Sequence, residues 1–512
     1  MAHIQLISIV EPMSDEGIIW RLPYAFPIII RQLEKSKHTY DIIDTHLHKK
    51  TRKDIIEFIK KSKSNIFGIS SYSEGYNFVK IITKEIKKKN KDAVVIVGGI
   101  LAKSGDVLFE QTEVDIVVTC PEGEYVLPEI LDVLDLNTND FSSLKGFSYR
   151  SKSNSQVINL PPRPIMNNKE YQKTEIPAYE VFDNEIFQII DYLNTIEDMP
   201  VKGFPLLTTR GCPFKCTFCG HMYGRRFLRK NWDNFFKHID FLLERYSVTG
   251  FFSNDTNLFL NEKDVEEYCK RYRDGNYSFK IAAEMRPTFG DYQMFKRLKD
   301  HGVLVLLIGY ESGSQIMLDN MKKQTDIKQV FQIIKDAVKA DIILHGNFIF
   351  GTPGENEKTV KETRNFMFEL EKLYEKQKEV LKNKGMIGAS GYGWSIVIPT
   401  PPSELFSLAI DSGAIKDVDS YLSSLDREDY SLEYIKSHIR HSGGDVNLSE
   451  FESKSTLINY VKYSINIVKL KLLLYKRKEI KSNIIPIQKK IFEIIVSYTK
   501  FLISKHKHRK KK

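Results

Sequence analysis

At 512 residues the chain exceeds an ordinary single domain, and a prior of roughly 100–200 residues per domain points to two to four units. Hydrophobic residues make up 42% and charged residues 28%, which is ordinary for a soluble globular protein. The net charge of +10 is concentrated in the tail: positions 461–512 hold 16 Lys/Arg against 2 Asp/Glu, and the rest of the chain is slightly acidic. Five cysteines, three of them within eight residues, exclude a disulfide framework and suit a reduced, cytoplasmic protein with a metal centre. The first residues lack the charged start of a signal peptide, and no run of about 18 apolar residues is long enough to span a membrane.

The first 135 residues alternate β-branched runs with helical patterns. IQLISIV, TYDIIDTH, NIFGISSYS, AVVIVGGI and VDIVVTC read as strands, with helices over Tyr24–Lys37, Arg52–Ser62, Tyr76–Lys89, near Leu108 and from Glu124. Continuous apolar strands separated by helices imply a parallel sheet covered on both faces, a doubly wound α/β domain. Ligands of such sheets sit at the carboxyl ends of strands, here Glu11–Pro12, Asp44–Thr45, Ser70–Ser73, Gly98–Gly99 and Cys120–Glu124. Residues 136–200, with SKSNSQ and PPRP, read as a linker without a core of its own.

From Pro205 a second strand–helix alternation begins: PLLTT, GFFSND, FKIAAEM, VLVLLIGYES and IILHGNFIFG, each followed by a helix, and then a weaker YGWSIVI. Repeated βα units over 201–415 predict a partial (β/α)6 barrel of the TIM type, whose chemistry belongs in the loops after the strands. Residues 416–512 read as a helical region with the basic tail. That tail is either a solvated helix or a contact for an acidic partner or membrane surface; no nucleic-acid partner is expected.

TTRGCPFKCTFCG places Cys212, Cys216 and Cys219 as Cys-x3-Cys-x2-Cys on a loop after a strand. Thiolates hold iron–sulfur clusters, usually in fours, so three leave one iron open to another ligand. A tetrahedral zinc site completed by His221 is the alternative. The segment, with Phe218 before the third cysteine, resembles the signature of the radical S-adenosylmethionine (SAM) superfamily. The resemblance implies a [4Fe–4S] cluster whose fourth iron is chelated by SAM, and reductive cleavage of SAM to methionine and a 5′-deoxyadenosyl radical. It also implies SAM contacts from later strand ends: Asp255 in FFSND, Glu284 and Arg286 in AAEMRP, Glu311 and Ser312 in GYESGS, and Gly351 and Pro353 in FGTPGE. Arg286 suits planar recognition of the SAM carboxylate. For any one of these residues an ordinary polar loop or cap role is the alternative.

IVGGILAK followed by DIVVTCPEGEYVLPEI looks like the cobalamin-binding domain that precedes many radical SAM domains. The resemblance implies cobalamin contacts at Ser70, Ser71, Gly98, Gly99, Glu122 and Gly123. Pro121 stands where that family has a first glycine, and no Asp-x-His-x-x-Gly motif supplies a cobalt ligand. Cys120 and Cys269 read as small structural thiols. Their number is too small for the extra clusters of methylthiotransferases or of twitch-type maturases. What is implied is a cobalamin-dependent radical SAM methyltransferase acting on an unactivated carbon or phosphorus of a small metabolite or lipid, with flavodoxin or ferredoxin as reductant. A cyclase or ring-rearranging enzyme is the second reading, and a non-catalytic, cluster-bearing binding or sensing protein the third.

Overall fold

The computed structural model describes residues 1–10, 22–45, 47–48, 50–138, 140–196, 201–386, 388–426 and 446–479. The strand end at Glu11–Pro12 and the tail beyond 479 lie outside the described residues.

The first unit alternates β1 (His3–Ile9), α1 (Ala25–Leu33), β2 (Thr39–Asp44), α2 (Arg52–Lys61), β3 (Ile66–Ser71), α3 (Tyr76–Lys89), β4 (Val94–Gly98), α4 (Asp106–Gln111), β5 (Ile116–Val118) and α5 (Gly123–Asp135). Strand order β2-β1-β3-β4-β5 is parallel throughout, the doubly wound sheet read from the sequence. β1 and β4 are buried on both faces, as their unbroken Ile/Val/Leu content requires. Local chemistry starts the helices: Thr51 and Asp54 form a reciprocal capping box on α2.

The stretch read as a linker is built into this sheet. β6 (Phe147–Arg150) pairs antiparallel with β5, and β7 (Val157–Asn159) pairs antiparallel with β6, making seven strands. β7 is an edge strand of three residues, exposed along its whole length and too short to show a strand period beside the polar SKSNSQ stretch. After α6 (Asn168–Gln172), Tyr179 and Phe182 are fully buried, and α7 (Asp183–Ile196) adds Ile186, Ile189 and Ile190 to the same core. Burying such side chains contributes about 1.5–3 kcal/mol each, which holds this segment down.

The second unit is an all-parallel six-stranded sheet in the order β15-β14-β13-β12-β11-β8. Its elements are β8 (Gly203–Leu206), the short pair β9 (Thr209–Arg210) and β10 (Leu228–Arg229), α8 (Trp232–Tyr246), β11 (Gly250–Ser253), α9 (Glu262–Asp274), β12 (Lys280–Glu284), α10 (Tyr292–Asp300), β13 (Val303–Glu311), α11 (Gln315–Asn320), α12 (Ile327–Lys339), β14 (Ile343–Phe350), α13 (Glu357–Asn383) and β15 (Gly391–Ile396). This is the partial (β/α)6 barrel. α14 (Glu404–Asp411) and α15 (Val418–Ser423) turn back onto the first unit, and α16 (Lys454–Glu479) lies along α13. Among the described residues two large apolar cores stand out beside two small ones. One joins the α1/α5 face of the first sheet to the barrel; the other fills the α2/α3/α4 face and takes in Ala409, Ile415, Tyr421, Leu422 and Leu425. Among the described residues no helix is long and apolar enough to cross a membrane.

Candidate active site at the cysteine loop

The loop carrying Cys212, Cys216 and Cys219 leaves the barrel after β8 and returns through the β9–β10 pairing. Its base is fixed by Asp255, a fully buried carboxylate at the end of β11. Asp255 accepts from the Thr208 and Thr209 backbone amides at 2.7 and 2.6 Å, and from the Thr208, Thr209 and Ser253 hydroxyls at 2.8, 2.9 and 2.8 Å. Gly211 turns the chain with φ 79°, and a Cβ there would lie 2.3 Å from the Arg226 carbonyl oxygen, so only glycine fits. Midway along, Thr217 donates its N–H to Met321 O at 3.0 Å and accepts from Leu405 N–H at 2.8 Å. The loop is therefore stitched to the segments after β13 and β15.

Around the sulfurs the chain offers donors. Cys216 is buried, and Arg286 Nη1 lies 3.5 Å from its Sγ, with the guanidinium 3.9 Å from the Phe214 ring centroid. Asn257 Nδ2 donates to Cys212 Sγ at 3.6 Å while its Oδ1 accepts from Arg286 N–H at 2.9 Å. Burial pushes the Cys212 and Cys219 thiols up, which iron overcomes when it takes them as thiolates. Arg286 is buried, and its Nε and Nη2 have no partner among the described residues. A buried cation with unmet donors is costly unless an anionic ligand completes it. The carboxylate of a cosubstrate beside the cluster fits that need.

The zinc alternative fits poorly. Among the described residues no three Cys, His, Asp or Glu side chains converge on a point one ion could occupy. Thiolates of a [4Fe–4S] cluster each hold a different iron and need no such point. His221 faces Arg225 Nη1 at 3.0 Å, and burial and that cation lower its pKa.

The other residues read from the sequence divide into two groups. Phe218 is half-buried on the loop, and Glu284 ends β12 beside Arg286. Glu311, at a bulge in β13 with φ 58°, is buried against Lys323 Nζ at 2.6 Å. These residues share the loop end of the barrel with the cysteines. Asp255 and Ser312 are committed to the chain instead: Asp255 to the five bonds above, and Ser312 Oγ to the Thr363 hydroxyl at 2.9 Å and the Ser314 amide at 3.1 Å. Gly351 (φ 92°) donates its N–H to Glu355 at 3.0 Å, and Pro353 O accepts from Asn320 at 3.2 Å. Burial lifts the Glu355 carboxyl to about 7.

In the first unit, Ser70, Ser71, Gly98 and Gly99 meet at adjacent strand ends. A Cβ on Gly99 would stand 2.9 Å from Ser70 Oγ, whereas one on Gly98 would meet open space. Nearby, the buried Ser73 and Ser104 hydroxyls have no partner among the described residues. Small residues and unmet hydroxyls fit a polar cofactor tail. Gly123 begins α5. Glu122 has one carboxylate oxygen paired with Arg226 of the cysteine loop, and its Oε2 is buried without a partner among the described residues. Cys120 is half-buried, its thiol pushed up to about 11 by burial. Residues that sequence reasoning missed are Asn257, Lys323, Glu124, Arg210 and Arg226. Their partners lie 12 to 104 residues away, so no local pattern marks them.

The comparisons with known proteins agree with this geometry. A family model for the radical SAM superfamily matches residues 206–367, and one for the B12 binding domain matches residues 22–131. An uncharacterized methyltransferase of Pyrococcus horikoshii is 26% identical over 349 residues, covering 67% of this chain and 72% of that protein. An anaerobic magnesium-protoporphyrin IX monomethyl ester cyclase of Rubrivivax gelatinosus is 22% identical over 389 residues, covering 74% of this chain but only 64% of that protein. The fold matches the cobalamin-dependent S-adenosylmethionine radical enzyme OxsB, solved with aqua-cobalamin and S-adenosylmethionine bound, at a TM-score of 0.65 and 16% identity over 97% of this chain and 71% of that one. With the three-cysteine loop, the buried arginine beside it and both domain matches in hand, the chain carries a radical SAM domain behind a B12-binding domain, a pair whose cofactors are a [4Fe–4S] cluster, SAM and cobalamin.

Proposed function

We propose that this enzyme is a methyltransferase that places a methyl group on an unactivated carbon or phosphorus centre of a small metabolite or lipid. SAM binding rests on Arg286, whose Nε and Nη2 are buried without a partner among the described residues while Nη1 touches Cys216 Sγ, and methyl transfer rests on the methyltransferase relative. Cys212, Cys216 and Cys219 would hold the cluster, and Arg286 would grip the SAM carboxylate beside the iron they leave open. When bound, the cluster and SAM supply one-electron cleavage of a sulfonium, and the corrinoid supplies a methyl carrier. The chain's part is orientation. Asn257 ties Cys212 to the Arg286 backbone, Asp255 fixes the loop's base, and Lys323 holds the buried Glu311 carboxylate at the end of β13. Excluding water there strengthens each of these contacts.

The methyltransferase relative supports the reading, and the cyclase relative favours a second one, ring formation without methyl transfer. Turnover with methyl-labelled SAM separates them. Label in the product supports methyl transfer; 5′-deoxyadenosine with an unlabelled cyclised product would replace it. The enzyme takes electrons from a one-electron reductant, for which flavodoxin or ferredoxin is our proposal. Net charge of +14 over positions 461–512 suits an anionic membrane surface presenting a lipid substrate. Salt-sensitive binding to anionic liposomes that persists after removal of these residues would refute that role.

A further inference from the structure

Two carboxylates from one turn of the B12-binding unit reach the two ends of the cysteine loop. Glu124, in the first turn of α5, pairs with Arg210 Nη1 at 2.5 Å; both are buried, and Arg210 is the residue before Gly211, where the loop begins. Glu122, just ahead of α5, pairs with Arg226, which lies near the loop's end and whose carbonyl oxygen packs on Gly211. Further bonds hold each arginine in place. Arg210 sits between the Tyr171 and Tyr223 rings at 5.4 and 5.5 Å from their centroids. Arg226 donates to Tyr223 O at 2.9 Å inside the loop and to Met166 O at 3.0 Å outside it. A third tie, Asn254 Nδ2 to the Tyr24 hydroxyl at 2.6 Å, lands beside Asp255 at the loop's base. Buried ion pairs are poor devices for stability but good ones for fixing a register, because each charge is stranded if its partner moves.

We propose that Arg210 and Arg226 are positioning residues through which Glu124 and Glu122 clamp the cysteine loop, and with it the open iron, in one fixed placement against the corrinoid-binding unit. The inference rests on the three cysteines holding the cluster, and not on methyl transfer. It explains why both Glu positions of the PEGE segment carry carboxylates paired with arginines of the cysteine loop. The clamp holds the cysteine loop in fixed register with the first unit whatever reaction follows.

The test uses the full-length protein reconstituted anaerobically with iron and sulfide, and needs neither substrate nor turnover. Iron release to excess bathophenanthroline is timed, and the SAM-induced change in the reduced-cluster EPR spectrum is titrated. In E122Q/E124Q, iron release should quicken roughly tenfold or more, the usual effect of removing outer-shell support from a metal site, and the SAM midpoint should rise by a similar factor. D419N, which breaks another contact between the first unit and the C-terminal helices (Lys80 Nζ–Asp419, 2.6 Å), is the control and should leave both readouts unchanged. R226K keeps the charge but loses the fork, and gives a folded variant should the double mutant fail to fold; its iron release should quicken about threefold. Wild-type rates in either clamp variant, or equal acceleration in D419N, would overturn the proposal. A protein that binds no iron at all would instead remove the cluster assignment beneath it.

Discussion

Replacing Asp255 by asparagine or alanine asks whether this carboxylate organises the cysteine loop or touches SAM. Its two oxygens accept five hydrogen bonds: one takes the Thr208 and Thr209 amides and the Thr209 hydroxyl, the other the Thr208 and Ser253 hydroxyls. Asparagine keeps one oxygen for the amides, and the two opposing hydroxyls can rotate to accept from its NH2. A charged acceptor contributes roughly 1.5–3 kcal/mol per bond and a neutral one about 0.5–1.5 kcal/mol. About 1 kcal/mol is thus lost per bond, and relief of the buried charge offsets part of it, leaving a net cost of ~2–3 kcal/mol. Alanine strands two buried amides at about 1–3 kcal/mol each and frees three hydroxyls, for a total of roughly 4–6 kcal/mol. Urea midpoints of the apoprotein by circular dichroism, and iron bound per chain after anaerobic reconstitution, measure the two effects. D255N should fold with a lowered midpoint and reduced iron, and D255A should bind little iron. Full iron and an unchanged midpoint in D255A would refute the loop role; full iron in D255N with SAM cleavage abolished would make Asp255 a direct SAM contact.

R286K should keep its iron while the SAM concentration needed to perturb the cluster's EPR signal rises at least about tenfold, because a lysine cannot supply the planar donors left open here; an unchanged titration would remove Arg286 from SAM binding. Glu355 gives a pH effect of known sign. Its folded pKa of about 7 stands above the ordinary carboxylate value, so its neutral form favours the fold at low pH and this advantage fades as pH rises toward and through 7, a swing of about 3 kcal/mol. E355Q should therefore flatten the pH dependence of the urea midpoint between pH 5 and 8, as roughly 3 kcal/mol of ionisation cost disappears; an identical slope in both proteins would contradict it. G211A forces a Cβ against the Arg226 carbonyl oxygen at positive φ and should cost the reconstituted protein most of its iron without unfolding the barrel, read by iron assay and far-ultraviolet circular dichroism; wild-type iron would show that the loop can turn another way.

Most of the architecture was legible because it is written in short-range patterns. Apolar runs such as VVIV and VLVLLI declare buried parallel strands, and Cys-x3-Cys-x2-Cys declares its chemistry within eight positions. What escaped was non-local. β6 and β7 were hidden because strands of four and three residues are too short to show a period, and Tyr179 and Phe182 because two aromatic anchors in a Pro-rich stretch carry no periodicity. In the site, Arg286 was readable from its place after a strand, whereas Arg210–Glu124 and Arg226–Glu122 span 86 and 104 residues and leave no trace along the sequence. Asp255 and Ser312 stand at the strand ends where the sequence places them, and the bonds they make within the chain were not legible, since a strand-end polar residue can face a ligand or brace the loop beside it.

α14 and α15 have a bearing on how this molecule can be dissected. Ala409, Ile415, Tyr421, Leu422 and Leu425 complete the apolar layer over α2, α3 and α4, and Tyr76 and Lys80 both bond Asp419. The amino-terminal fold thus finishes itself with chain made some 300 residues later. A fragment ending before position 400 would show water a greasy flank, so the corrinoid-binding half is not a detachable module: it acquires its last wall only once the barrel behind it has been synthesised.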